Sequence, residues 1–145
     1  MPEPRPDISQ GDLFDNAPLV SVTQDAAAPG LTAALREGRA ILLTHDCEYD
    51  KPSNPWVAVA EVRPLSEIAA GSQGHVREYR TRNTFYLQAL AAALPESYVD
   101  FRRLTRLPKS ALTSAPGSVR HLASLSEEAR TALQRQIAIF FGYGR

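Results

Sequence analysis

The chain has 145 residues, no formal net charge and 43% hydrophobic residues, values typical of one globular domain. This composition excludes a fully disordered chain, a coiled coil and a collagen-like fibre. No apolar run approaches the roughly 20 residues of a membrane-spanning helix, the N-terminal segment lacks the apolar core of a secretion signal, and one cysteine cannot form an internal disulfide. We therefore expect a cytoplasmic protein with no membrane partner, with a flexible, proline-rich tail at residues 1–7 and a single domain at residues 8–145.

The two halves of the sequence carry opposite charge. Residues 1–61 contain 10 acidic and 4 basic residues, whereas residues 62–145 contain 6 acidic and 12 basic residues. A basic half can attract phosphate groups, and an acidic half can attract a basic partner. The two halves can also fold together and neutralise each other, so the distribution is compatible with both interpretations.

Apolar residues that alternate or run continuously predict short strands at five places. These segments are residues 19–23, 39–45, 56–62, 97–104 and 119–123. One or two helical turns are predicted over residues 31–38, ended by Gly38, and another turn over residues 65–69 before a glycine-rich loop at 71–74. Segment 83–94 begins like a strand and ends like a helix, so both interpretations are kept.

The clearest helix is predicted over residues 126–141. Ser124 or Ser126 can cap its first turn, and acidic residues follow, as favoured at a positive helix N-terminus. Apolar residues recur at helical spacing and form one stripe; they are Ala129, Leu133, Ile137, Phe140 and Phe141. Several short strands followed by a terminal helix indicate a mainly β fold with helices (α+β), a small SH3-like open β-barrel with a C-terminal helix.

A polar cluster follows the predicted strand at residues 39–45 and consists of Thr44, His45, Asp46, Cys47 and Glu48. If the strand continues, His45 and Cys47 lie roughly 7 Å apart on one face, too far for direct proton transfer. This spacing favours a small buried cysteine over an activated nucleophile. The same residue types can bind a metal, but the chain has no CxxC or HExxH motif, so we expect no metal and no cofactor.

Arginines and aromatic residues are interleaved in the second half of the chain. Such a set fits single-stranded nucleic acid, with phosphates on the guanidinium groups and bases on the rings. The same aromatic residues at alternating strand positions can instead form the core. The set comprises Arg63, Arg77, Arg80, Arg82, Arg102, Arg103 and Arg106 together with Tyr79, Phe85, Tyr86, Tyr98 and Phe101.

The order of several segments resembles the PemK/MazF-like toxins, which are small SH3-like barrels that cleave RNA. The matching pieces are Gly11-Asp12-Leu13, the strand that begins Arg39-Ala-Ile-Leu-Leu-Thr44, the strand at 56–62, the basic segment at 97–107 and the terminal helix. The resemblance implies a metal-independent homodimer that is blocked by an antitoxin. It also implies that Arg39 matches the family's catalytic arginine, while Arg63 stands where the family has a catalytic Thr or Ser.

These observations lead to an RNA-binding protein or a metal-independent endoribonuclease. Arg39 and Arg63 would stabilise the phosphate, His45 would act as general base or acid, and all three would line one concave surface. The expected substrate or partner contacts are Thr44, Asp46, Cys47, Glu48, Arg80, Arg82 and Arg102.

Two alternatives are kept open. One is a non-catalytic barrel module that binds a protein partner, for example a phage or mobile-element defence or counter-defence component, because the acidic run Asp46–Asp50 repels phosphate. The other is a hydrolase centred on Cys47, either as a nucleophile or as a metal ligand.

Overall fold

The computed structural model describes residues 8–24, 30–90, 93–113 and 119–142. Its strands are β1 (Leu13–Gln24), β2 (Leu31–Leu42), β3 (Trp56–Pro64), β4 (Thr84–Leu87), β5 (Ser97–Pro108) and β6 (Arg120–Ala123). Its helices are α1 (Asp46–Tyr49), α2 (Ala70–Arg77), α3 (Ser110–Thr113) and α4 (Glu127–Phe140), with a 3-10 turn at Leu65–Glu67. The strands form one antiparallel sheet in the order β4-β5-β3-β2-β1-β6. The predicted class, mainly β with helices and a C-terminal helix, is confirmed; the described strands leave the sheet open rather than closed into a barrel.

A tight turn leads into β1. The Gly11 N–H donates to the Leu42 carbonyl (2.8 Å), and the Asp12 N–H donates to the Ser9 carbonyl (3.0 Å). Gly11 has a φ of 88°, and a Cβ atom there would lie 3.0 Å from the side chain of Leu125. The position therefore requires glycine both for its backbone angle and for its close approach to Leu125.

The first two strands extend beyond the rest of the sheet as a two-stranded arm, residues 17–24 and 31–38. Pairing between β2 and β3 covers only Ala40–Leu42, and pairing between β1 and β6 covers only Leu13–Asp15. A bulge in β1, where Asn16 adopts a left-handed φ of 55°, marks the base of the arm. The arm bends towards β5, because the Val20 N–H donates to Thr105 Oγ1 at 3.2 Å.

Three sequence predictions fail locally. Residues 31–38 contain good helix formers, but continuous pairing with β1 makes them part of β2, because tertiary pairing overrides helix propensity. The predicted loop at residues 71–74 lies inside α2 despite its glycines. The predicted strand at residues 39–45 ends at Leu42, and α1 begins at Asp46. The predicted tail, residues 1–7, lies outside the described residues.

The other elements follow their predictions. Residues 84–87 form β4, whereas Leu90 and Leu94 pair as an isolated bridge instead of continuing as a helix. The Ala129 N–H donates to Ser126 Oγ (3.2 Å), so Ser126 is the N-cap of α4. The predicted stripe of α4 packs on one side of the sheet around the fully buried Leu133, with the exception of Phe141, which is exposed.

Ion pairs join the acidic and basic halves of the chain. Asp15 pairs with Arg120 (3.2 Å), and Asp46 pairs with Arg130 (3.2 Å). Glu61, at the end of the acidic half, contacts Arg103 (3.9 Å). These contacts favour the interpretation in which the two halves fold together and partly neutralise each other. None of the helices described here has the length and apolar character needed to cross a membrane.

Candidate functional site

A bulge in β5 places two arginines on the surface beside the arm. Ala60 pairs with Leu104, but the next residue, Glu61, pairs with Asp100, so residues 101–103 have no partner on β3. Phe101 turns into the core and is fully buried. Arg102 and Arg103 point outwards, with 62% and 52% of their side-chain surfaces exposed. The bulge thus places two adjacent guanidinium groups on one surface, which regular alternation would separate.

Two buried carboxylates lie beneath these arginines. Asp100 is 2% exposed and accepts hydrogen bonds from Arg102 Nε (3.0 Å) and Arg103 Nε (3.3 Å). Glu61 is 3% exposed and accepts hydrogen bonds from Arg36 Nη2 and from Arg63 Nη1 (2.6 Å). The carboxylates hold the inner edges of the guanidinium groups, and the outer edges of Arg102 and Arg103 face solvent.

The ion pairs keep this cluster charged. Burial by itself would raise the pKa of Glu61, but hydrogen bonds from Arg36 and Arg63, with their positive charges, outweigh it and hold that pKa below its usual range. The hydrogen bond to Asp100 raises the pKa of Arg102. Arginine is charged at any physiological pH in any case, so the surface presents fixed positive charge.

A trough runs between the arm and β5 and continues over β5. Its cationic end, about 500 Å³, is lined by Arg36, Arg102 and Arg103, by Glu61 and by apolar residues of the arm. Its aromatic end, about 400 Å³, is lined by Trp56 and Arg106 among others. Leu104 and Thr105 line both depressions, so the two ends adjoin at β5. Positive charge exceeds negative charge along the trough.

The three predicted catalytic residues are not brought together. Arg39 lies on the face of β2 opposite to Ala40 and approaches Asp15 at 4.0 Å. Arg63 lies on the other face of the sheet, where it hydrogen-bonds to Glu61 and also holds Glu67 through Nε (2.5 Å). His45 caps α1, at the far end of β2. Arg39 and Arg63 therefore cannot stabilise the same phosphate in this arrangement.

His45 and Cys47 lie closer together than a continued strand would place them. Because α1 begins at Asp46, His45 Nδ1 is 3.0 Å from Cys47 Sγ and also accepts the Cys47 N–H at 3.2 Å. Cys47 is exposed, so its predicted burial is wrong. An imidazole at this distance can take a thiol proton, but among the described residues no further side chain hydrogen-bonds to the ring.

The remaining predicted contact residues are dispersed. Thr44 Oγ1 accepts the Ala58 N–H (2.8 Å) at the aromatic end of the trough. Asp46 accepts the Gln10 N–H (2.7 Å) and pairs with Arg130. Away from the trough, Glu48 pairs with Lys51 (2.7 Å), Arg80 pairs with Glu78 (2.9 Å), and Arg82 is exposed without an ion pair to another described residue. Of the predicted contacts, only Arg102 and Thr44 line the trough.

Most of the interleaved aromatic residues belong to the core, as the structural alternative predicted. Phe85, Tyr98 and Phe101 are buried. Tyr86 donates to Glu96 (2.5 Å), and burial followed by this hydrogen bond raises the pKa of Tyr86 to about 12. Hydrogen bonds from Arg77 and Tyr86 lower the pKa of Glu96 to about 2. The hydrogen bonds among Arg77, Tyr86 and Glu96 connect α2 to the sheet, so these side chains already have partners within the protein.

Sequence reasoning missed Arg36, Glu61 and Trp56. Arg36 was not recognised as a site residue, because the pattern of residues 31–38 predicts helical turns instead of a strand beside β3. Glu61 had a usable signal: in the strand at 56–62 it alternates with Val57 and Val59, which predicts a carboxylate on a buried face. Such a carboxylate needs a cationic partner, and the basic half of the chain offers many.

No group of three or more histidine, cysteine, aspartate or glutamate side chains suited to a metal ion occurs among residues 8–24, 30–90, 93–113 and 119–142. The chain matches no protein-family model. A search of curated proteins finds no significant match. The trough and the residues that line it are therefore the features that indicate a function.

Proposed function

We propose that this protein binds RNA through the phosphate backbone, along the trough between the arm and β5, and that it does so without cleaving the strand. The observation that carries the proposal is the pair Arg102 and Arg103, oriented by the buried Asp100 with their outer edges in solvent. Arginine suits phosphate because its planar group offers several donors in a fixed geometry. The resemblance to RNA-cleaving barrels also supports an RNA ligand.

Binding is favoured over cleavage because the candidate catalytic groups are separated. A phosphodiester cleavage site needs its charged stabilisers and its proton-transfer group around one phosphate. Arg39 and Arg63 lie on opposite faces of the sheet with different ion partners, Asp15 and Glu61. The trough holds guanidinium groups and no histidine.

Single substitutions in the trough test the proposal. We expect Arg102→Gln and Arg103→Gln each to weaken RNA binding about tenfold, because each removes one charge-assisted hydrogen bond to phosphate. Each should also reduce the slope of log affinity against log salt concentration by about 0.7. Fluorescence anisotropy of a labelled RNA measures both, and each single variant leaves Asp100 one arginine partner.

Arg135→Gln is the matched control, since it removes the same charge from an exposed position of α4. Equal losses of RNA affinity in all three variants would show nonspecific electrostatic attraction and would contradict binding in the trough. RNA recovered from the same mixtures, kept in EDTA, should be intact. Cleavage that disappears in Arg39→Ala would overturn binding without cleavage.

A second candidate function, binding of a protein partner, is favoured by one face of the arm, which borders the trough at Val20 and Val22. Val20, Val22, Leu31 and Leu35 lie on this face and are 45%, 60%, 74% and 75% exposed. The opposite face carries Ser21, Thr32 and Ala34 and is less apolar. Contiguous exposed apolar residues of this kind commonly mark an interface.

The double variant Leu31→Glu/Leu35→Glu tests this second function. A protein captured from lysate by the wild type should be lost with this variant, because charges would enter the apolar contact. Ile139→Glu is the control, since Ile139 is an exposed apolar residue on α4. Capture that is equal for all three proteins would contradict a docking role of the arm.

A further inference from the structure

We infer that the aromatic end of the trough is a base-binding subsite, in which an unpaired RNA base stacks against the Trp56–Arg106 pair. This inference rests on the proposed RNA binding and adds the position at which a base is bound, with a preference for purines. Trp56 is 41% exposed at the start of β3, and the Arg106 guanidinium carbon lies 4.9 Å from the centre of its ring. Indole and guanidinium groups are both planar surfaces on which bases stack.

The depression is an open surface site rather than an enclosed pocket, but its volume matches that of small-ligand sites. Its volume of about 400 Å³ falls within the range of such sites. Ala58 and Leu104 supply apolar surface, and Leu104 is itself 40% exposed. Thr44 and Asn54 supply polar atoms at the same site. A stacked base would therefore find an apolar surface for its face and polar groups for its edge.

The polar groups are held in place by the backbone of β3. Thr44 Oγ1 accepts the Ala58 N–H at 2.8 Å, which leaves the hydroxyl proton available to a ligand. Asn54 Oδ1 accepts the Trp56 N–H at 3.2 Å. Both contacts fix the side chains before a ligand arrives, so a base edge meets groups already oriented.

The aromatic end adjoins the cationic end at β5, which connects base recognition to phosphate binding. Leu104 and Thr105 line both depressions. A strand whose phosphates contact Arg102 and Arg103 would pass over Leu104 to place a base on Trp56. In a duplex the bases are paired and stacked on each other, so their faces are not available to Trp56. The arrangement thus selects an unpaired strand, and purines bind better because they offer more stacking area.

The single tryptophan of the chain gives a direct readout. A short oligoadenylate should quench Trp56 fluorescence in a saturable manner, whereas an abasic phosphodiester strand of equal length should bind without quenching. We expect the oligoadenylate to bind about tenfold more tightly than the abasic strand, the contribution of roughly one stacked base. Oligouridylate should fall between the two, and duplex RNA should not quench.

Variants separate this inference from backbone binding. Trp56→Leu should reduce oligoadenylate affinity to that of the abasic strand, and Trp56→Phe should restore part of it. Phe141→Leu, at the exposed aromatic residue that follows α4, should change nothing. Circular dichroism checks that each variant is folded. If both strands bind equally, or if duplex RNA quenches as strongly, the base subsite is overturned while the backbone proposal stands. If no strand binds, both proposals are overturned.

Discussion

Replacing Glu61 by glutamine should lower the free energy of unfolding by about 2–3 kcal/mol, since removal of one partner from a buried ion pair is strongly destabilising. Glu61 is buried and holds Arg36 and Arg63, and it is also close to Arg103. The arginines are partly exposed and can regain water, so the loss lies below that of a fully buried pair. Urea denaturation followed by circular dichroism at neutral pH measures the change.

At acidic pH, the difference in the free energy of unfolding between the wild type and the Glu61→Gln variant should become smaller. The pKa of Glu61 is lower in the folded protein than in the unfolded chain. Its contribution to stability is therefore fully present above the unfolded pKa, about 4.3, and is lost as the pH falls towards the depressed folded value. Glu67→Gln is the control, because Glu67 is an exposed partner of Arg63 and should contribute less than about 1 kcal/mol. Equal losses in both variants, or a difference unchanged in acid, would contradict a special role of Glu61.

Leu133→Ala in α4 should lower the free energy of unfolding by about 3 kcal/mol, because the shortened side chain leaves a cavity in the core. Leu133 is fully buried and belongs to the same core cluster as Phe85, Phe101 and Leu125, which come from three other segments. The same urea titration measures this loss. The change lies outside the trough, so RNA affinity of the folded variant should be unaltered.

Ile139→Ala provides the comparison within the same helix. Ile139 is exposed, so its truncation should change stability by less than about 1 kcal/mol, as for most surface positions. If Ile139→Ala proved as destabilising as Leu133→Ala, the assigned orientation of α4 would be wrong.

The fold class was predictable where local patterns and tertiary packing agree. The strand at 56–62 and the helix at 126–141 have clear periodicity, and both appear within a few residues of their predicted bounds. Segment 31–38 shows the opposite case. Its residues favour a helix locally, but in the folded sheet they form strand-to-strand hydrogen bonds with β1. This pairing is more stable than a helix, and it is available only once the sheet has formed.

The candidate site was much less predictable, because it depends on pairing register. Arg102 was expected to contact a ligand, yet its position next to Arg103 on one surface results from the bulge opposite Glu61. The residue pattern of β5 does not predict that bulge. The contact between Arg36 and Glu61 likewise joins residues 25 positions apart, whose meeting depends on how β2 and β3 align. Residue types indicated the chemistry, and strand alignment determined which residues meet.

The contact between the arm and β5 also determines at which stage of folding the trough forms. Val20 and Thr105, which join the two by a hydrogen bond, lie 85 positions apart. A hairpin between consecutive strands forms in roughly 1–10 μs, whereas sheets built from distant pairings fold in milliseconds to seconds. The β1–β2 hairpin can therefore fold while the chain is still being synthesised, but the trough forms only after β5 has emerged and paired with β3. A nascent chain carries the arm before it carries the proposed RNA-binding surface, so RNA affinity would report that β5 has paired with β3.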